Sequence, residues 1–279
     1  MLADVRAEHL EARRKADAEV QELEASVGGR ISTFREFVAA LRKRRQEFKR
    51  AGAVATEHVM SQPVAGWQSP EEMESYFAGA LARRDITSKQ LRDFQGHMAM
   101  EMARMSLDDG LVMQLYAGVD RGHADVGAAM AASRMPAALP ARVDFTGGLR
   151  TLLNEFGHSK NFTLVLFSPD ESSYTRELGP LAVTYPAVKV GAPWWHLNSP
   201  RGMRTFLMEV VEIAGVHNLA GFDDDASYVL SLPSRHKLWR RVVSDWAASL
   251  VMNGEIDEQE ALDIVFQLSY AQPKSVYHI

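Results

Sequence analysis

The sequence predicts an α/β protein of the parallel (β/α)8-barrel (TIM-barrel) type, and two segments carry most of that prediction. Val188–Trp195 and Ala220–Asp225 each have the pattern of a buried strand that stops abruptly in aromatic or acidic residues. One helical segment separates them. Because successive parallel strands end at the same edge of a sheet, we expect Trp194, Trp195 and Asp225 to share one site.

Further apolar runs alternate with helical patterns along the chain. Helices are expected after Ser32 or Thr33, from Ser69 as a cap with proline in the first turn, and from Thr87 or Ser88. Apolar runs predict about five strands, at residues 52–56, 111–116 and 162–167, from 188 onwards, and at 219. A closed barrel needs eight strands, and five parallel strands leave two open edges. Either the sheet is open, or a partner completes it, or part of a longer gene is missing here.

The organisation of the chain follows from its helical and barrel-like parts. Residues 1–29 are predicted to be an N-terminal helical segment, since Ala3–Ser26 lacks proline and glycine and Gly28 and Gly29 follow as a stop. Residues 30–279 are predicted to form a partial (β/α) barrel domain. Open edges make a homo-oligomer the expected state.

Composition excludes several classes of protein. The net charge of −5 and the pI near 6.0 give no drive toward nucleic acid or an anionic membrane, and no apolar run is long enough to span a bilayer. The absence of cysteine excludes disulfides and thiolate ligands. With a highly charged N-terminus in place of a signal peptide, the expected location is cytoplasmic.

Several segments, in order along the chain, resemble the uronate isomerase family of the amidohydrolase (metal-dependent hydrolase) superfamily: Arg42–His58, Ala103–Leu115, Gly191–Trp195, Gly221–Asp225 and Ser234–His236. The likeness runs from about Arg30 to the C-terminus. It implies a metal-containing (β/α)8 barrel that interconverts D-glucuronate with fructuronate and D-galacturonate with tagaturonate. The implied partner is a small-molecule sugar acid, and the implied cofactor is one divalent metal, Zn²⁺.

The sequence departs from the family pattern at several positions. The family's first strand carries a His-x-His pair, which this chain lacks. The family's fifth strand ends in Met-Gln-Leu/Ile-His, and the matching position here is Tyr116. The family's Asp-x-Arg is matched at Asp225 but not at Ser227. The chain thus resembles the C-terminal part of the family, and its cofactor is either one divalent ion or none.

The resemblance and the strand ends together nominate the site residues. Asp225 is the candidate catalytic base or metal contact, with a helix cap or solvated loop as the alternative. Trp194 and Trp195 are candidates for the wall of a sugar pocket, with simple core packing as the alternative. Arg235 and Arg121 are candidates for binding the substrate carboxylate, and Arg235 has a structural ion pair as its alternative.

Three further residues complete the expectations. Tyr116 is a candidate hydrogen-bond donor to substrate, since a neutral phenol is a poor metal ligand. His58 is a metal-ligand candidate beside Asp225, with a structural role as the stronger alternative. Asp223 is expected to face solvent or to cap a helix.

Three functions compete on this basis. The first is aldose–ketose isomerisation of uronates. The second is a catalytically degenerate or truncated family member that needs a partner chain. The third is a metal-dependent hydrolase, which product analysis would distinguish from an isomerase.

Overall fold

The computed structural model describes residues 19–120, 139–223 and 228–279. Within these ranges the chain divides into two compact units. The first comprises residues 19–53 and 66–101, and the second comprises residues 54–65 and the described part of 102–279. The division into residues 1–29 and 30–279 remains a prediction.

The first unit is helical and encloses an aromatic core. Its helices are α1 (residues 19–27), α2 (Phe34–Arg50), α3 (Pro70–Leu81) and the first part of α4 (Ser88–Asp109). Thr33 and Ser69 each cap a helix reciprocally with the glutamate three residues on, and this confirms the predicted Ser69 cap. The core is an apolar cluster whose buried members are Ile31, Phe34, Ala40, Met73 and Phe77.

The second unit contains a parallel sheet whose four strands are ordered as they occur in the chain. These are β1 (Ala55–Met60), β2 (Val112–Ala117), β5 (Leu164–Phe167) and β6 (Val188–Val190). Two short antiparallel strands, β3 (Val119–Asp120) and β4 (Leu139–Pro140), form a separate pair. The predicted α/β class with a parallel sheet is therefore confirmed.

Two predicted strands differ in extent from the observed ones. The first begins at Ala55 and runs through His58, because Gly52 with φ of 101° turns the chain after α2. The predicted strand at Leu219 is wrong in extent, since Leu219 makes only an isolated parallel bridge to Val190. A 3-10 turn before Leu219 and a turn at Gly221, with φ of 88°, prevent longer pairing.

Helices and helical turns connect the strands and close the second unit. The helices are α5 (Phe145–Gly148), α6 (Arg150–Phe156), α7 (Gly179–Thr184), α8 (Pro200–Ala214), α9 (Leu232–Met252), α10 (Glu258–Phe266) and α11 (Gln272–Tyr277). Turns of π-helix cover Tyr174–Leu178 and Gln267–Ala271, and 3-10 turns cover Trp195–Leu197, Val216–Asn218 and Val229–Ser231. No helix in the described ranges combines the length and hydropathy that a bilayer span requires.

Side-chain alternation gives the sheet two contrasting faces. In β2, β5 and β6 the aliphatic face includes Met113, Leu115, Leu164, Leu166, Val188 and Val190, all completely buried. The mixed face consists of Ala55, Glu57, Val59, Val112, Gln114, Tyr116, Val165, Phe167 and Lys189. Polar and aromatic groups are concentrated on the mixed face, and the candidate site lies there.

Candidate active site

Tyr116 and Trp194 lie together on the mixed face. The Tyr116 ring stacks on Phe167, with centroids 4.1 Å apart and planes inclined by 6°. The Trp194 ring meets Tyr116 edge-on, with centroids 4.9 Å apart. A Cβ atom at Gly191 would lie 2.3 Å from the Phe167 ring, so glycine is needed there for this stack to form. The structure therefore brings two of the predicted site residues into contact.

Trp195 adjoins this group at the start of a 3-10 turn. Its ring centroid is 5.2 Å from that of Trp194, and it packs against the same apolar cluster as Tyr116. Its φ of 55° is in the left-handed region, which is uncommon for a residue other than glycine. Trp194 is buried and Trp195 is half-buried, so Trp195 is the tryptophan that retains contact with solvent.

Asp223 lies beside Tyr116, and the expectation of a solvent-facing or capping residue is wrong. Its Oδ2 atom accepts hydrogen bonds from Gln114 Nε2 at 2.8 Å and from the Tyr116 hydroxyl at 3.2 Å. The turn at Gly221 returns the chain toward the sheet, and a Cβ there would collide with Pro273. The backbone turn therefore places a carboxylate against the mixed face.

Gln114 joins this carboxylate to the C-terminal helix. Its Nε2 atom donates to the Tyr277 hydroxyl at 2.8 Å as well as to Asp223. Burial raises the pKa of both Tyr116 and Tyr277 far above the usual tyrosine range, and the nearby Asp223 charge raises both pKa values further. Both phenols therefore stay protonated at neutral pH, and Tyr116 acts as a donor to Asp223.

Arg235 supports the segment that follows the tryptophans. Its Nη2 atom donates to the backbone carbonyl of Asn198 at 2.8 Å, which joins α9 to the end of the 3-10 turn that contains Trp195. The structure thus gives Arg235 a bracing contact. Its predicted binding of the substrate carboxylate stays a prediction.

His58 lies on the other side of the sheet from Asp223. It pairs in register with Leu115, so it belongs to the aliphatic side, whereas Gln114 and Tyr116 are on the mixed face. Its Nε2 atom is 3.1 Å from the Thr56 hydroxyl. Within residues 19–120, 139–223 and 228–279, no three His, Asp or Glu side chains form a group suited to a metal ion. The structure does not bring His58 to the candidate site.

Two nominated residues, Asp225 and Arg121, lie outside the described residues. Sequence reasoning missed Gln114, Asp223 and Tyr277. The signal available for Gln114 was its spacing of two from Tyr116, which places both on one face of a strand. No comparable signal pointed to Asp223 or Tyr277.

Comparison with known proteins gives a consistent family assignment. The model of the glucuronate isomerase family matches residues 7–277. A uronate isomerase of Nostoc punctiforme is 42% identical over 92% of this chain and 54% of its own length. One of Rhizorhabdus wittichii is 41% identical over 94% of this chain and 56% of its own length.

Solved structures agree with these sequence matches. The crystal structure of glucuronate isomerase from Caulobacter crescentus matches with a TM-score of 0.88 and 34% identity, covering 95% of this chain and 55% of that one. The uronate isomerase of Thermotoga maritima matches with a TM-score of 0.86 and 28% identity, covering 93% and 57%. The chain thus spans about half the length of the relatives that it matches.

Proposed function

This chain belongs to the glucuronate isomerase family, and from that premise we propose that it forms part of an enzyme that isomerises sugar acids. The substrates are D-glucuronate and D-galacturonate, and the products are the corresponding ketouronates. The reaction is an intramolecular oxidation and reduction, in which a proton moves between neighbouring carbons through an enediol. It requires a base, donors for the developing charge on oxygen, and a cation for the carboxylate.

The roles follow from the strand-end residues. Asp225 transfers the proton, Trp194 and Trp195 shape the sugar pocket, and Arg235 and Arg121 bind the carboxylate. One feature supports the proposal most: the segment before Asp225 reaches the mixed face, where Asp223 accepts hydrogen bonds from Gln114 and Tyr116. These bonds hold Asp223, two positions before Asp225, beside Tyr116, whose ring the Trp194 ring meets.

The family resemblance implies a divalent metal, Zn²⁺ in the first instance, but the described residues do not fit such an ion. They contain no group of three acidic or histidine side chains around a common point. Tyr116 occupies the position of the family's strand-end histidine, and its protonated phenol is a poor ligand.

The remaining strands of the family fold complete the proposed enzyme. Among the described strands β1 pairs with β2, and no described strand lies along its other edge. We place the other strands of a closed (β/α)8 barrel at this edge, whichever polypeptide carries them. Two alternatives remain, namely a degenerate member of the family and a metal-dependent hydrolase.

Proton NMR of D-glucuronate in D₂O with added Zn²⁺ tests the function. The chain is measured alone and mixed with the part of the Caulobacter crescentus enzyme that it does not match. We expect ketose signals and exchange of the proton on the second carbon in the mixture. Asp225→Asn should lower the rate by about 10²–10⁴-fold, as loss of a general base does, whereas the matched control Asp224→Asn should not.

Each contrary result favours a different alternative. A folded mixture in which no proton exchanges would contradict isomerisation and favour a degenerate family member. Cleavage of a bond in place of ketose formation would favour the hydrolase.

A further inference from the structure

Residues 66–68 are the point at which the chain re-enters the first unit, and two hydrogen bonds hold them on α4. The Gly66 amide donates to the Gly96 carbonyl at 3.2 Å, and the Gln68 amide donates to His97 Nδ1 at 3.1 Å. The second bond differs from the first, because its acceptor is a ring nitrogen that can itself take up a proton. Its histidine is buried, with 7% of its surface exposed.

The bond to Gln68 defines the protonation state of His97. An imidazole nitrogen accepts a hydrogen bond only while it carries no proton, so the ring is neutral and its N–H group is at Nε2. That nitrogen faces Glu101 Oε1 at 3.9 Å, which is too far for a hydrogen bond. The rings of Phe34 and Trp67 pack edge-on with the imidazole, with centroids 5.4 and 5.1 Å away. The neutral ring is therefore enclosed, with Gln68 as the donor to Nδ1.

The charged groups around His97 belong to two helices. Glu101 lies one turn further along α4, and its negative charge attracts a protonated ring. Arg42 of α2 has its Nη2 atom 3.8 Å from the other carboxylate oxygen of Glu101, and its positive charge offsets that attraction. The ring contact from α2 is the uncharged Phe34, and residues 66–68 carry no charge. The bond to Gln68 is therefore the interaction that depends most directly on the proton at Nδ1.

We propose that His97 is a pH-sensitive latch, which holds residues 66–68 on α4 while its ring is neutral and releases them when the ring is protonated. A proton on Nδ1 turns the acceptor into a donor, so that the N–H groups of Gln68 and His97 oppose each other. Protonation therefore favours the open segment. The closed segment has its full stability above the ordinary histidine pKa near 6.5 and loses it as pH falls below that value.

Amide hydrogen exchange in the full chain, followed by NMR at pH 7.5 and 5.5, tests this latch. Each rate is divided by the intrinsic rate of the same amide at the same pH, which removes the pH dependence of exchange itself. We expect the protection of the Gln68 amide to fall about tenfold between the two pH values. The Phe37 amide donates to the Thr33 carbonyl at 3.1 Å and should keep its protection, because a carbonyl acceptor does not titrate.

His97→Asn separates titration from a purely structural role. The asparagine Oδ1 atom can accept from the Gln68 amide in place of Nδ1 but does not titrate in this range. This variant should therefore lose the pH dependence of Gln68 protection. His158→Asn, at an exposed histidine, is the matched control and should respond to pH as the parent does.

Nitrogen chemical shifts of the His97 ring in the parent provide a second measurement that needs no variant. At pH 7.5 they should show the neutral form with its proton on Nε2, and a proton on Nδ1 would overturn the proposal. Constant protection of Gln68 in the parent would also overturn it. So would an equal fall at Phe37, which would mean that the first unit unfolds, or an unchanged pH response in a folded His97→Asn variant.

Discussion

The two faces of the parallel sheet differ in what their residues contribute. On the aliphatic face of β2, β5 and β6 every residue is an aliphatic side chain, or Met113, and none is exposed. On the mixed face Gln114, Tyr116 and Lys189 alternate with these same residues along the strands, and Val59 is 52% exposed. The same strands therefore provide stability on one side and chemistry on the other.

The energies on the two sides have different origins. Burying a leucine or valine side chain contributes about 1.5–3 kcal/mol to the stability of the fold, and this contribution depends on the apolar area removed from water. On the mixed face, Lys189 donates to the His217 carbonyl and to Asn218 Oδ1, and burial lowers its pKa. Burying a polar side chain there is favourable only while its hydrogen bonds are formed. The stability contributed by the mixed face therefore depends more strongly on the positions of its side chains.

The largest expected effect is on the aliphatic face. Leu166→Ala should lower the free energy of unfolding by about 2–5 kcal/mol, because it leaves a cavity beside a fully buried strand. Denaturant titration measures this loss. Val59→Ala, the control on the exposed part of the mixed face, should change stability by less than about 0.5 kcal/mol. Equal losses in the two variants would contradict the division between the faces.

Gly191→Ala should disturb the mixed face directly. The new methyl group would overlap the Phe167 ring and displace it from Tyr116, at an expected cost of about 1–3 kcal/mol. Near-ultraviolet circular dichroism should register the change in the aromatic cluster. Gly215→Ala offers a comparison, since a Cβ there meets nothing within 4 Å, although φ of 71° adds backbone strain. An unchanged aromatic spectrum in Gly191→Ala would argue against the stack.

Alkaline pH should destabilise the fold through the buried phenols. Burial raises the pKa of Tyr116 and Tyr277 in the folded state. Below the ordinary tyrosine pKa near 10, the two protonated phenols therefore contribute their full stabilisation of the fold. It is lost as pH rises toward the folded-state pKa, because only the unfolded chain releases these protons. Tyr277→Phe should reduce the slope of stability against pH above 10 by about 1.4 kcal/mol per unit. Tyr228→Phe, at a tyrosine that is 75% exposed, is the matched control variant.

The smallest expected loss of stability comes from removing a single hydrogen bond. Tyr116→Phe keeps the ring stack and removes the donor to Asp223, so stability should fall by about 0.5–1.5 kcal/mol. If the two groups interact, the double variant should lose less stability than the sum of the losses in Tyr116→Phe and Asp223→Asn. A double-mutant cycle measures this difference. Strict additivity would mean that the hydrogen bond contributes nothing.

Much of the fold was predictable because its signals are local. The continuous apolar run at 162–167 predicted a buried strand, and the strand Leu164–Phe167 is found there. Ser69 and Pro70 predicted a helix start at the residue where it occurs. The length of the strand at Leu219 was overestimated, because apolar content alone does not indicate the turns that lie before and after it.

The site was only partly predictable, because its contacts are distant in sequence. Trp194 and Tyr116 were nominated from strand ends, and they do meet. Asp223 was missed because its partner Gln114 is 109 positions away, and the turn at Gly221 determines which acidic residue faces the sheet. The roles of Asp225 and Arg121 stay predictions.

Two adjacent residues of β2 provide the most direct test of the division between the faces, since Gln114 is on the mixed face and Leu115 on the aliphatic face. Unfolding free energy and D-glucuronate isomerisation are measured for Gln114→Leu and Leu115→Ala, with the remaining strands of the family supplied. Gln114→Leu should lower the free energy of unfolding by about 1–3 kcal/mol, because two hydrogen bonds are lost, and should abolish isomerisation. Leu115→Ala should lose about 2–5 kcal/mol yet isomerise normally per folded molecule. The reverse pattern, or parallel losses in both variants, would contradict the account.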